Sequence, residues 1–108
     1  MADIQVETTK QGSGELIPKG AQVAAFYRGT LSNGKEFDSN FGGRPFVFRV
    51  GDRQVISCWD IGFQKLRKGE EATLTCPSES AYGSRGVPGA IPPNATLKFE
   101  VKVVDWRM

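Results

Sequence analysis

Six aromatic residues, Tyr27, Phe37, Phe46, Trp59, Tyr82 and Phe99, come from six separate segments of the chain, and one carboxylate, Asp38, directly follows Phe37. Aromatics gathered from distant segments fill a core or line an apolar pocket. A pocket of this kind binds an apolar group and orients it with a few polar anchors. Asp38 is one such anchor. The backbone of Val55 and Ile56 is another, because it lies just before an expected helix, where N–H groups still lack partners. The stretch AYGSRGVPGAIPPNATL, residues 81–97, adds Tyr82, Val87, Ala90 and Ile91 in a segment with three glycines, three prolines and one charge. Glycine and proline mark a loop. A loop that carries apolar side chains has something apolar to cover or to bind.

The absences narrow the chemistry further. The chain contains no histidine, which removes the usual base from serine and cysteine nucleophiles and excludes the common hydrolase triads. Two cysteines without histidine do not close a zinc site, and no carboxylates have calcium-loop spacing. Gly12-Ser13-Gly14 is a bare turn rather than a phosphate-binding loop. No metal or cofactor is expected, and any reaction here must run without a strong general base.

The net charge of +2 comes from scattered Lys and Arg, which argues against nucleic acid as a partner. A small barrel binding single-stranded nucleic acid would display its aromatics on a basic face, whereas here they alternate inward. No apolar run approaches membrane-spanning length, and MADIQVETTKQGSGEL lacks the apolar core of a signal peptide. The expected location is therefore cytoplasmic, with Cys58 and Cys76 as reduced thiols. The sequon at Asn94-Ala95-Thr96 is discounted on the same ground. With 108 residues, 39% hydrophobic and 24% charged, residues 1–108 are expected to form one folded domain.

The elements that must position these residues are mostly strands. IQVETT reads as a first strand and GSGELIPKG as a turn region. AQVAAFYRGTL is a strand with Val23, Ala25 and Tyr27 on one face. Asn33-Gly34 signals a hairpin, and Phe37 and Asp38 follow it. Gly42-Gly43 breaks that strand. PFVFRVG carries Phe46, Phe48 and Val50 on one face, and EATLTC carries Ala72, Leu74 and Cys76. TLKFEVKVVDWRM alternates with Leu97, Phe99, Val101 and Val103 inward, until the phase slips at Val103-Val104 and suggests a bulge or the strand end. The one good helix is SCWDIGFQKLRKG. Ser57 and Asp60 have capping-box spacing, and Trp59, Phe63 and Leu66 form an apolar stripe. Lys65, Arg67, Lys68 and Gly69 terminate it. The expected fold is α+β: a curved antiparallel sheet wrapped around one short amphipathic helix.

Taken together, Y.G.L.NGK.FDS, PF.F.VG...VI..WD.G, GE.A.L and AYG..G.PG.IPPNATL.FEV resemble the FKBP-type peptidyl-prolyl isomerases, specifically the small single-domain cytosolic immunophilins. The resemblance runs from IQVETT to FEVKVVDW. It implies a site in which Tyr27, Phe37, Asp38, Trp59, Tyr82 and Phe99 are catalytic, while Phe46, Val55, Ile56, Ile91, Val87 and Ala90 contact substrate or macrolide. Trp59 is the implied pocket floor. The Ile56 amide and the Tyr82 hydroxyl are the implied donors to substrate carbonyls, and Asp38 accepts from a macrolide hydroxyl. Val87 and Ala90 depart from the best-known small members, which carry a histidine and a larger aliphatic residue there. Cys58 stands where glycine or alanine is usual.

The activity so implied is cis–trans isomerisation of X–Pro bonds, with binding of tacrolimus and rapamycin. The drug complexes would present a composite surface to calcineurin or TOR kinase, and the chain would act as a monomer. A different reading is a non-catalytic module that holds a partner with the same pocket and the 81–97 loop. Isomerisation suits a chain without histidine. Its barrier of roughly 18–20 kcal/mol is mostly lost amide resonance, and no bond breaks. Cys58 and Cys76 leave two readings open. They are small buried hydrophobes, or a redox pair whose linkage, or modification of Cys58, distorts the pocket floor. A bridge needs Cα atoms within about 7 Å.

Overall fold

The structure, a computed structural model, describes residues 3–108. The main sheet is antiparallel throughout and runs in the order β1 (Gln5–Lys10), β7 (Glu71–Cys76), β8 (Leu97–Arg107), β3 (Gln22–Leu31). The far edge of β3 is shared by two short strands. β4 (Glu36–Ser39) pairs with Arg28–Thr30 and β5 (Phe46–Arg49) pairs with Gln22–Ala25. Period-two alternation sends one face of each long strand into the core. Val23, Ala25, Ala72, Leu74, Leu97, Phe99, Val101 and Val103 are all buried. The phase slip at Val103-Val104 is a bulge: Ala25 pairs with Val103 but Ala24 with Asp105, and β8 continues to Arg107.

One short helix, α1 (Ser57–Gly62), packs on the inner face and continues as a 3-10 turn, Phe63–Lys65. Its Trp59 and Phe63, with Leu66 beyond the turn, are buried as the apolar stripe requires. The helix is shorter than its sequence pattern. Leu66 is already extended, and Arg67–Lys68 form a two-residue strand, β6, against β2 (Ser13–Leu16). Ile17 donates its N–H to the Leu66 carbonyl at 2.9 Å, and Ile17 is buried. Pairing that buries Ile17 outweighs further helix, so Arg67 and Lys68 serve a strand, while Lys65 alone ends the 3-10 turn. The same pairing makes part of the expected GSGELIPKG turn region a strand, β2. Every residue of β2 is exposed, so it carries no alternation to read.

The capping box does not form. Ile56 is the residue at the N-cap position, and no side chain caps the helix. The Ser57 hydroxyl donates to the Ser80 carbonyl at 3.2 Å. The Asp60 carboxylate instead accepts from the Gly51 and Arg53 N–H groups at 2.8 and 3.1 Å.

Cys58 and Cys76 are joined in a disulfide, which corrects the expectation of reduced thiols. The first turn of α1 and the end of β7 bring their Cα atoms to 5.7 Å, inside the range a bridge requires. Among the described residues, no helix is long and apolar enough to cross a membrane. A bridge spanning 18 residues restrains the unfolded chain by about 3 kcal/mol. Reducing it should lower Tm by roughly 10–20 °C, measured by circular dichroism with and without a dithiol. Coincident melting curves, with both thiols titrated as free, would contradict this.

Candidate functional site

The aromatic residues converge on a cleft of about 220 Å³ lined by Tyr27, Phe37, Asp38, Phe46, Gln54, Val55, Ile56, Trp59, Tyr82 and Phe99. Trp59 is 3% exposed and forms the floor. Its ring lies 5.0 Å from Tyr27, 5.3 Å from Phe99 and 6.0 Å from Phe46, each at a steep edge-to-face angle. Such pairs are favoured by the ring quadrupoles. Beneath the floor, Phe48 and Phe63 pack on Trp59 at 5.5 and 5.1 Å. The Trp59 Nε1–H is buried with no acceptor among the described residues, whereas most buried polar groups are hydrogen-bonded.

Each wall has a local cause. Tyr27 projects inward from β3 by alternation. Its main chain is stitched to the loop after β4: the Tyr27 N–H donates to Asn40 Oδ1 at 2.7 Å and the Asn40 N–H donates to the Tyr27 carbonyl at 3.1 Å. Phe37 is the extra residue of a bulge, since Asp38 pairs with Gly29 and Glu36 with Thr30. Bulges re-aim a side chain, and here Phe37 meets Phe99 edge-on at 5.6 Å. That contact sits directly over Gly29. A Cβ there would lie 2.5 Å from Phe37 Cζ and 2.9 Å from Phe99 Cε1, so only glycine allows it.

The segment carrying Gln54, Val55 and Ile56 is held by the two Asp60 contacts described above. Arg53 in that segment has a positive φ of 57°, which its bond to Asp60 maintains. Gln54 Oε1 accepts from the Arg49 N–H at 2.9 Å, which ties the segment to β5. The Ile56 carbonyl accepts from Trp59 and Asp60, while its N–H precedes the helix and meets no protein acceptor among the described residues.

The polar groups sit toward the rim. Tyr27 Oη donates to Asp38 Oδ2 at 2.7 Å. Burial, then this bond and the nearby Asp38 and Tyr82, push the Tyr27 pKa up to about 12. Burial and the Asp38 charge also raise the Tyr82 pKa. Tyr82 is 40% exposed and enters from a loop made of successive turns. The Gly86 N–H donates to the Tyr82 carbonyl, and Val87 and Ile91 exchange two backbone bonds of 2.8 Å. Pro88 and Gly89 form the turn between them, closed by the Ala90 N–H on the Val87 carbonyl, with Gly89 at a φ of 81°. Proline followed by a positive-φ glycine is the type II signature.

The structure therefore brings together Tyr27, Phe37, Asp38, Phe46, Val55, Ile56, Trp59, Tyr82 and Phe99. The other three residues taken as substrate contacts lie outside the cleft lining. Ile91 is 6% exposed and packs into the core. Ala90 is exposed and, with Ile91, borders a separate groove beside Leu31 and Lys35. Val87 is half-buried at the Ile91 bridge. Cys58 and Cys76 lie wholly buried below the floor. Gln54 and Gly29 were not expected. Gln54 adjoins Val55-Ile56 in sequence, and Gly29 is two residues from Tyr27 on the same strand face, so adjacency was the signal available for both.

Residues 13–104 match the profile of the family described as FKBP-type peptidyl-prolyl cis-trans isomerase. The chain is 49% identical to "FK506-binding protein 1" of Debaryomyces hansenii, over 96% of this chain and 95% of that one. It is 46% identical to "FK506-binding protein 1" of Saccharomyces cerevisiae, over 94% and 91% of the two chains. It is also 46% identical to "Peptidyl-prolyl cis-trans isomerase FKBP1A" of Xenopus laevis, over 94% and 95%.

Two outcomes follow from this geometry. Gly29→Ala should cost about 1–3 kcal/mol of stability by overpacking and displace Phe37 from the cleft wall. Urea denaturation and ligand titration read the two effects, and a fully neutral variant would contradict the close approach. Tyr27 holds its proton more tightly when folded, because its pKa rises from 10.0 to about 12. Its contribution to stability is complete below about pH 10 and is lost as the pH rises toward about 12. Comparing the pH dependence of unfolding in the wild type and Tyr27→Phe isolates it. Parallel curves across that window would refute the assignment.

Proposed function

The chain belongs to the FKBP-type peptidyl-prolyl cis-trans isomerases, and from that premise we propose that the aromatic cleft is where it isomerises X–Pro bonds. The proline ring rests on Trp59 between Tyr27, Phe46 and Phe99. The carbonyls flanking it meet the Ile56 N–H and the Tyr82 hydroxyl. The observation that carries this reading is the buried indole floor under a cleft whose polar groups are confined to its edge.

The cleft acts on the twisted amide rather than on a proton. An X–Pro bond has a ground-state preference of only about 0.5–1 kcal/mol, so both isomers are available to bind. Twisting removes resonance and reduces charge separation along C–N, and an apolar surround favours the less polar form. Contacts that fit the twisted state better than either planar one lower the barrier. An acceleration of a million-fold corresponds to about 8 kcal/mol. Phe37 and Phe99 close one wall, and Val55 with Ile56 the other.

The same cleft accepts tacrolimus and rapamycin in this reading. The similar yeast proteins are named for FK506, and Asp38 stands at the rim as an acceptor for a ligand hydroxyl. With a macrolide in place, the exposed turn at Pro88, Gly89 and Ala90, which lies outside the cleft lining, joins the ligand in a composite surface for calcineurin or TOR kinase. Val87 and Ile91 support that turn from behind. We read residues 1–108 as one monomeric cytoplasmic domain, in which burial of both bridged sulfurs slows attack by small thiols.

Exchange NMR on an X–Pro peptide tests the activity. Catalysed exchange abolished by stoichiometric rapamycin is expected. With no histidine and Tyr27 protonated up to about pH 12, the rate should stay nearly flat from about pH 6 to 8. An uncatalysed rate at micromolar protein would sink the proposal, and a steep bell would reveal an acid or base outside this set.

A further inference from the structure

We propose that Cys58 and Cys76 are a pair of positioning residues for the cleft, and that opening their bridge with a dithiol weakens substrate binding. This rests on the cleft being the X–Pro site. The bridge lies below the cleft but joins its two independent sides. Cys58 is in the first turn of α1, between the Val55-Ile56 wall and the Trp59 floor. Cys76 ends β7 and leads through Pro77 into the 3-10 turn Ser78–Ser80, from which Tyr82 departs.

Only light noncovalent ties repeat this link. The Ser57 hydroxyl donates to the Ser80 carbonyl at 3.2 Å. The Gly83 N–H donates to the Ser78 carbonyl at 2.8 Å, but it holds the loop only to its own base. α1 has six residues and no side-chain cap, so its first turn depends on packing and on the bridge. Cα atoms 5.7 Å apart leave little freedom between the start of the helix and the strand that aims Tyr82. Without the bridge, Tyr82 and the Ile56 N–H must be ordered relative to each other when ligand binds. That cost falls on affinity.

The chemistry is ordinary exchange. One thiolate of a dithiol attacks the Sγ of one cysteine, breaking the S–S bond and forming a mixed disulfide. The second dithiol sulfur displaces that cysteine, so the reductant closes to a cyclic disulfide. Two electrons pass to the protein, and two cysteine thiols result once protons are taken up. Both cysteines are 0% exposed, so attack requires the seam between α1 and β7 to open. Reduction should therefore be slow, and slower still with the cleft occupied by rapamycin.

The test compares oxidised protein, dithiol-reduced protein confirmed by thiol titration, and the Cys58→Ala/Cys76→Val double variant, each checked for folding by circular dichroism. Exchange NMR on an X–Pro peptide gives KM and kcat without a coupling protease. Amide hydrogen exchange at Gly83 and Gly86 reports the order of the Tyr82 loop. Expected are a KM raised about three- to tenfold in both bridge-free forms, kcat within about twofold, faster exchange at Gly83 and Gly86, and a double variant indifferent to dithiol. Unchanged KM and unchanged exchange in a reduced, folded protein would overturn the proposal, as would two free thiols in the protein after air oxidation. If reduced protein does not stay folded, the double variant alone decides. If the oxidised protein does not catalyse, the isomerase reading falls and the exchange rates still decide whether the bridge positions the loop.

Discussion

Trp59 is shared between the core and the cleft, and most of the architecture follows from that double use. Five aromatic rings, those of Tyr27, Phe46, Phe48, Phe63 and Phe99, lie within 5.0–6.0 Å of its ring. Phe48 and Phe63 belong to the buried interior, whereas Tyr27 and Phe46 reach solvent. A side chain packed on one face by the core cannot be displaced without opening a void there. The floor of the cleft is therefore as rigid as the core, and a ligand meets a surface already in place. It also explains why so short a helix suffices: α1 contributes Trp59 to both sides, and the sheet does the rest.

The walls depend on departures from regular structure. A uniform β3–β4 ladder would turn Phe37 away, but the bulge there turns it onto Phe99, and Gly29 leaves the space. Splitting the partner of β3 into β4 and β5 creates the loop whose Asn40 fixes Tyr27. Asn40 Nδ2 also donates to the Ala25 and Arg44 carbonyls, each at 3.1 Å. One amide thus bonds both strand and loop. Asp60 does the corresponding work for the 51–56 segment from the helix side. Loops supply the rim, but each is bonded to a strand or to α1. Precision at the site comes from these few side-chain bonds to main chain.

How far this was legible from residues alone varies by element, for physical reasons. Strands β7 and β8 were plain because each buries one face only, so alternation is strict from Ala72 to Cys76 and from Leu97 to Val103. The same pattern located the Val103-Val104 bulge. Strand β2 was invisible because all four residues are exposed and no alternation marks a ribbon anchored by the Ile17–Leu66 backbone bond beside it. The helix was over-extended because Lys65, Arg67 and Lys68 have the composition of a helix end, while only Lys65 stays helical and pairing with β2 decides the conformation of Arg67 and Lys68. Inward alternation put Tyr27, Phe46 and Phe99 on the inner face, and the family resemblance assigned them to the site. Gln54 was missed because its side chain is polar and its role lies in a loop bond to Arg49. The disulfide depends on a distance between a helix start and a strand end, and no local pattern encodes that.

The placement of the single carboxylate completes the argument about chemistry. A carboxylate without protein partners would hold water tightly beside the aromatic rings. Here both Asp38 oxygens are engaged by protein: Oδ2 accepts from Tyr27 Oη and Oδ1 from the Ser39 N–H. The acid sits at the exposed edge, away from the buried Trp59 floor. Tyr27 has a matching double role, since its ring walls the cleft and its hydroxyl satisfies the acid. Its raised pKa, about 12, keeps that hydroxyl a donor at neutral and moderately alkaline pH. The arrangement thus keeps the aromatic walls and the ionisable groups apart, with Asp38 and the Tyr27 hydroxyl bonded to each other at the edge of the cleft.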